Sequence, residues 1–235
     1  MSIRSWKATI NINRNLPIPV LFENERCVVF DKPSGLLVIP SPKGETKTLT
    51  SLVNHQYAPS DKSYQLHPCH RLDKDTTGVI LYAKGKKNQQ LLMDEFKRQS
   101  VRKKYVALVQ GRVKQDRGEI KSFIHSFEDE QIFNKAKKDL AQTRFQVLER
   151  RKDFTVVEVE PLTGRTNQIR IHFKELKHPL IGERKYAFGR DSHLKFRRAA
   201  LHAASLEWTD PESRQRLSAQ APLPKDMEKF LEQHR

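Results

Sequence analysis

The sequence predicts an α+β protein: a largely antiparallel mixed β-sheet core with flanking helices. Many short runs rich in Val, Ile, Leu and Phe read as strands, a few amphipathic stretches read as helices, and the two types do not alternate regularly. Residues 1–20 read as an extended N-terminal arm, and residues 21–235 as a single domain without a long Gly/Ser linker or internal repeat. Cys27-Val28-Val29-Phe30 is apolar enough for a buried strand. Lys32-Pro33-Ser34-Gly35 then predicts a turn into a second strand, Leu36–Ile39, which Pro40 closes. Thr48–Tyr57 suits a short helix, and Gly78–Ala83 a strand. Lys87–Gln99 suits a helix, with Leu91, Leu92, Glu95 and Phe96 on one face. Strands are expected at Lys104–Gln110, Glu119–Phe127, Thr143–Glu149, Phe154–Glu160 and Ala199–Trp208. Helices are expected at Asn167–Leu176 and Lys225–His234.

Charge narrows the function. Lys and Arg number 44 against 28 Asp and Glu, a formal net charge of +16. Such an excess suits a polyanionic partner, and it is clustered between Lys84 and Lys104 and between Arg184 and Arg198. Charge alone leaves RNA, DNA and an anionic surface open. No run of about 18 apolar residues suggests a membrane span. The N-terminus lacks the apolar stretch of a secretory signal, and two cysteines make no disulfide framework, so a cytoplasmic location is expected.

The densest polar segment runs from His67 to Gly78, between two apolar strands. His67, Cys69 and His70 are too tightly spaced for a zinc site, and no metal is expected. Asp75, Thr76 and Thr77 suit turn and capping duties, and Cys69 suits the core. Arg71 and Asp73 could be a working pair beside a basic surface or a solvated ion pair, and composition does not choose between them.

The segment His70-Arg71-Leu72-Asp73-Lys74-Asp75-Thr76-Thr77-Gly78 with its following strand resembles the signature of the RluA family of RNA pseudouridine synthases. Further matches follow in the family's order. Phe30-Asp31-Lys32-Pro33-Ser34-Gly35-Leu36-Leu37-Val38 resembles its D-K-P-x-G-L-x-V segment. Lys103-Lys104-Tyr105 is similar to K-x-Y. Pro161–His172 resembles L-x-T-G-R-x-H-Q-I-R, and Leu201-His202-Ala203 its late L-H-A. Two positions depart from the pattern. Asn167 stands where the family usually has His, and Gly182-Glu183 where it often has Gly-Asp. The small N-terminal RNA-binding domain of many relatives is expected to be absent.

The resemblance implies the pseudouridine synthase catalytic fold and the isomerisation of uridine to pseudouridine in structured RNA, tRNA or rRNA. The glycosidic bond breaks, the base turns, and it rejoins through a ring carbon, so no cofactor is expected. By resemblance Asp73 is catalytic, Arg170 pairs with it, and Tyr105 stacks on the uracil. Arg71 fills the space of the flipped base, and Lys103, Lys104 and Arg165 hold phosphates. A monomer is expected. The alternative is a non-catalytic RNA-binding or ribosome-associated protein.

Overall fold

The computed structural model describes residues 17–42, 44–57, 65–125, 138–186 and 194–234. Most of the expected arm and part of the second basic run lie outside them. The chain divides into two compact units, residues 1–103 with 202–234, and residues 104–201.

The first unit holds strands β1 (Val20–Glu23), β2 (Cys27–Lys32), β3 (Leu66–Pro68), β4 (Thr77–Lys84), β9 (Leu201–Thr209, whose first residue belongs to the second unit) and β10 (Arg216–Gln220), with helices α1 (Leu49–Tyr57), α2 (Gly85–Lys97) and α4 (Lys225–Gln233). Strand β2 pairs antiparallel with β1 and β4, and β3 with β4. Parallel pairing of β4 with β9 makes the sheet mixed, and β10 returns antiparallel along β9. One face carries Cys27, Val29, Cys69, Val79, Leu81, Leu92, Leu206 and Trp208. Burial of Cys69 there bears out its core reading. Gly78 has φ +106°, and a Cβ on it would sit 2.1 Å from Ala203 O. Only glycine therefore lets β4 approach β9 at this register.

The second unit holds β5 (Arg102–Gln110, whose first two residues belong to the first unit), β6 (Arg117–His125), β7 (Lys138–Arg150), β8 (Phe154–Pro161) and helix α3 (Gln168–Glu175). Its sheet runs β5-β8-β7-β6, antiparallel throughout. Ile169 and Phe173 of α3 are buried, as their spacing predicts.

Most expected elements form within a few residues of their predicted bounds. The exception is Leu36–Ile39, which is not a strand. The backbone there serves α1 instead: Leu37 O and Val38 O accept the N–H groups of Leu49 and Thr50 at 2.8 and 3.1 Å. Those are orphan donors of the helix's first turn, and their satisfaction outweighs the strand propensity of the run. Strands β3 and β10 escape the sequence because they are short and polar.

Candidate active site

In the first unit the His67–Gly78 segment becomes β3, a loop, and the start of β4. The loop's main chain is held at the carbonyls of Asp73, Lys74 and Thr76. Asp73 O accepts the Thr76 N–H at 3.1 Å, closing a turn. Lys32, fully buried at the end of β2, donates from Nζ to Pro33 O at 3.0 Å, Lys74 O at 2.9 Å and Thr76 O at 2.8 Å. Gly35 N–H adds a second bond to Lys74 O at 2.9 Å. An ammonium has three donors, and here all three are spent on main-chain carbonyls. A buried charge is tolerated when it is so satisfied. The Lys-Pro-Ser-Gly turn is thus the scaffold of the Asp73 loop.

His70 pins the other side. Its Nε2 accepts the Leu81 N–H at 3.0 Å, so the ring proton sits on Nδ1. The ring lies 5.1 Å from that of Phe96. Burial, with the nearby charge of Lys103, pushes its pKa down to about 3. His70 is therefore neutral and structural rather than an acid, a base or a ligand. Around it, Arg71 is exposed, Leu72 buried and Asp73 half-buried. Thr77 Oγ1 lies 2.9 Å from His202 Nδ1, and His202 Nε2 lies 3.4 Å from Ala221 O. A carbonyl only accepts, so Nε2 carries the proton and Nδ1 receives the Thr77 hydroxyl. The late Leu-His-Ala segment thereby anchors the loop's exit. Lys103 is half-buried, and desolvation lowers its pKa.

In the second unit Tyr105 is buried on β5, opposite Val159. Lys104 is paired with Glu158 at 2.8 Å, and Arg165 with Asp139 at 3.4 Å. Arg198, a member of the second basic run, is no surface cation. It is buried, and its Nη1 donates to Ala199 O and Leu201 O. The loop before α3 is organised by Gln168. Its Oε1 accepts from Thr163 Oγ1 at 2.7 Å and Arg165 N–H at 3.0 Å. Its Nε2 donates to Gln142 O and Thr143 Oγ1, both at 2.9 Å. All four bonding positions of the amide are used, which is how a buried Gln becomes an asset.

Arg170, on α3, is caged. Its Nε and Nη2 make a fork to Glu183 Oε2 and Oε1 at 2.6 and 2.8 Å. Nη1 donates to Asn167 Oδ1, and the guanidinium carbon lies 5.2 Å from the Tyr186 ring centre. Burial alone would raise the pKa of Glu183. The Arg170 bonds and charge, with the N–H groups of Lys185 and Tyr186, hold it below the usual carboxylate value. Lys32, His202, Gln168 and Glu183 lay inside the motif segments. What marked their roles was tertiary, because each acts by gripping a distant main chain or side chain. No cluster of His, Cys, Asp or Glu among the described residues is placed to hold a metal.

Residues 26–175 match the family model for RNA pseudouridylate synthase. The chain is 35% identical over 222 residues to the uncharacterized RNA pseudouridine synthase YlyB of Bacillus subtilis, covering 92% of this chain and 73% of that protein. It is 35% identical over 229 residues to ribosomal large subunit pseudouridine synthase D of Nitrosomonas europaea, covering 92% and 65%. Among solved structures, human RNA pseudouridylate synthase domain containing 4 superposes with a TM-score of 0.73 at 25% identity over 91% of each chain. The fold and the matched segments define an RNA-modifying isomerase. The chain belongs to the RNA pseudouridine synthase family, of the RluA type, and it acts on RNA by turning uridine into pseudouridine.

Proposed function

We propose that this isomerase modifies a uridine in a stem-loop of large-subunit rRNA, tRNA or both, as a cytoplasmic monomer, with Asp73 as the catalytic carboxylate. The observation that carries the reading is the Asp73 loop. The buried Lys32 ammonium fixes the backbone that follows Asp73, at the carbonyls of Lys74 and Thr76. The printed name of the Nitrosomonas relative, a large-subunit enzyme, supports rRNA. No helix among the described residues is long and apolar enough to cross a membrane.

The role of each residue is the one the family resemblance implies, and its residue type suits it. Asp73, ionised, acts as nucleophile or base at the ribose–uracil linkage. Arg170 is its cation partner and holds it charged where water is excluded. Tyr105 stacks on the flipped uracil, a contact of roughly 1–3 kcal/mol. Arg71, exposed on the loop, enters the space the base leaves, which offsets part of the few kcal/mol of unstacking. Lys103, Lys104 and Arg165 hold phosphates.

Two measurements test this. Asp73→Asn should lower tritium release from ring-labelled uridine RNA by at least about a thousandfold while RNA binding persists, because an amide is neither nucleophile nor base. Turnover within tenfold of wild type sinks the assignment. Mapping pseudouridine in total RNA from a deletion strain should show loss at one stem-loop position of rRNA or tRNA. Loss only from unstructured RNA refutes the substrate reading.

A further inference from the structure

The two positions at which this chain departs from the family motif touch the same side chain. Asn167 stands in the place of His and Glu183 in the place of Asp, and both bond the Arg170 guanidinium. We propose that Asn167 and Glu183 are coupled positioning residues for Arg170, so that the family's His and Asp can be restored together but not singly. The inference rests on the catalytic role proposed for Arg170.

Glu183 is anchored before it meets Arg170. Its side chain is 0% exposed, and Oε1 also accepts the N–H groups of Lys185 and Tyr186 at 2.8 and 3.2 Å. The turn that delivers it is fixed by Gly182, at φ +73°, where a Cβ would lie 2.0 Å from Arg198 O. Glu183 cannot retreat, so its extra methylene, about 1.5 Å of chain relative to Asp, goes into carboxylate reach. The guanidinium is pushed by that amount from one edge.

The opposite edge yields in compensation. Asn167 lies at φ 56°, ψ 18°, at the N-terminus of α3, one turn before Arg170. That left-handed region is one Asn, Asp and His all tolerate, so the backbone admits either residue. Asn presents its oxygen close to its own main chain, whereas an imidazole ring reaches further. A long acid with a short amide, or a short acid with a long ring, frames the guanidinium in a similar place. Mixed combinations crowd it or leave it loose. Of the five guanidinium N–H groups, these bonds use Nε–H, one on Nη2 and one on Nη1. Moving the frame moves the whole guanidinium.

The test is a double-mutant cycle on the full chain, read as kcat and KM for tritium release, with Tm and wild type alongside. Asn167→His and Glu183→Asp should each lower kcat about tenfold, with KM little changed, because RNA is held elsewhere. The double variant should return to within about threefold of wild type. If one single exchange unfolds the protein, the double variant should regain its Tm, which reads the same coupling. A double variant no faster and no more stable than the weaker single overturns the inference, as does either folded single within twofold of wild type. Arg170→Ala separates the two levels. Full activity in that variant removes the role proposed for Arg170. Loss of activity there with uncoupled singles removes only the pairing of Asn167 with Glu183.

Discussion

The Asp73 loop and the Arg170 helix solve opposite problems with mirrored devices. In the first unit a buried cation, Lys32, grips the main-chain carbonyls of Lys74 and Thr76, just after the proposed catalytic Asp73. In the second a buried anion, Glu183, grips the side chain of the proposed partner cation. A short carboxylate such as Asp has two rotatable bonds, so fixing its backbone fixes most of it. A long arginine must be fixed at the guanidinium itself, because the helix constrains only its root. The difference predicts different failures. Damage to the first clamp should be felt in folding and turnover together, and damage to the second mainly in turnover.

Lys32→Met is the severest test of the contrast. It leaves the carbonyls of Pro33 and Thr76 without the bonds they make to Nζ, while Lys74 O keeps its bond from Gly35. Orphaned buried polar groups cost roughly 1–3 kcal/mol each, so a loss of about 2–6 kcal/mol is expected in denaturant unfolding. Amide exchange should quicken across residues 73–76, and kcat should fall with stability. An equally stable and active variant would mean that the ammonium clamp is incidental.

A milder effect is expected at Arg71 and Lys104, two of the cations proposed to meet RNA. Arg71 is exposed, and it forms no ion pair among the described residues, whereas Lys104 already shares its charge with Glu158. Each phosphate neutralised contributes about 0.7–0.9 to the slope of log affinity against log salt. Lys104→Ala should remove less than that, because Glu158 must first be displaced, and Arg71→Ala should lower affinity with little change of slope, because its proposed place is the space of the flipped base. Loss of a full phosphate's slope on Lys104→Ala would show that the Glu158 pairing has no influence on RNA binding.

Sequence patterning carried the fold class because apolar runs and their period decide which faces are buried, and that is local information. It singled out Asp73, Tyr105 and Arg170, the proposed site, through ordered motifs. It did not carry Leu36–Ile39, where strand-like residues give up their carbonyls to cap α1. Nor did it distinguish the cations. Lys32, Lys103 and Arg198 read as ordinary charges, yet Lys32 and Arg198 are buried on main-chain carbonyls and Lys103 is withdrawn. A count of positive charge therefore overstates the surface available to RNA. For Lys32 this depends on carbonyls far along the chain, Thr76 being 44 residues away, whereas Arg198 turns back on Ala199 and Leu201 close by.

The smallest effect sharpens the comparison within the first unit, where two carboxylates have opposite needs. Asp73, in the role proposed for it, must be charged. Asp31 is held in β2 opposite Val79, and burial pushes its pKa up to about 6. Lys32 follows it directly, yet strand alternation sends the two side chains to opposite faces. The ammonium is spent on the Asp73 loop, and desolvation is what governs Asp31. The sign follows from proton binding. Between the ordinary value of 3.8 and about 6, the folded protein holds a proton that the unfolded chain has released. This group's contribution to stability therefore falls as pH rises through that window and stays low above it. Asp31→Asn removes the penalty for ionisation. Its Tm should match wild type near pH 4 and exceed it by a few degrees at pH 7, at roughly 2–4 °C per kcal/mol for a chain of this size. A difference between the two proteins that does not change with pH would show that Asp31 is not the titrating group. A variant less stable at pH 7 would mean that the ionised carboxylate is welcomed at this site.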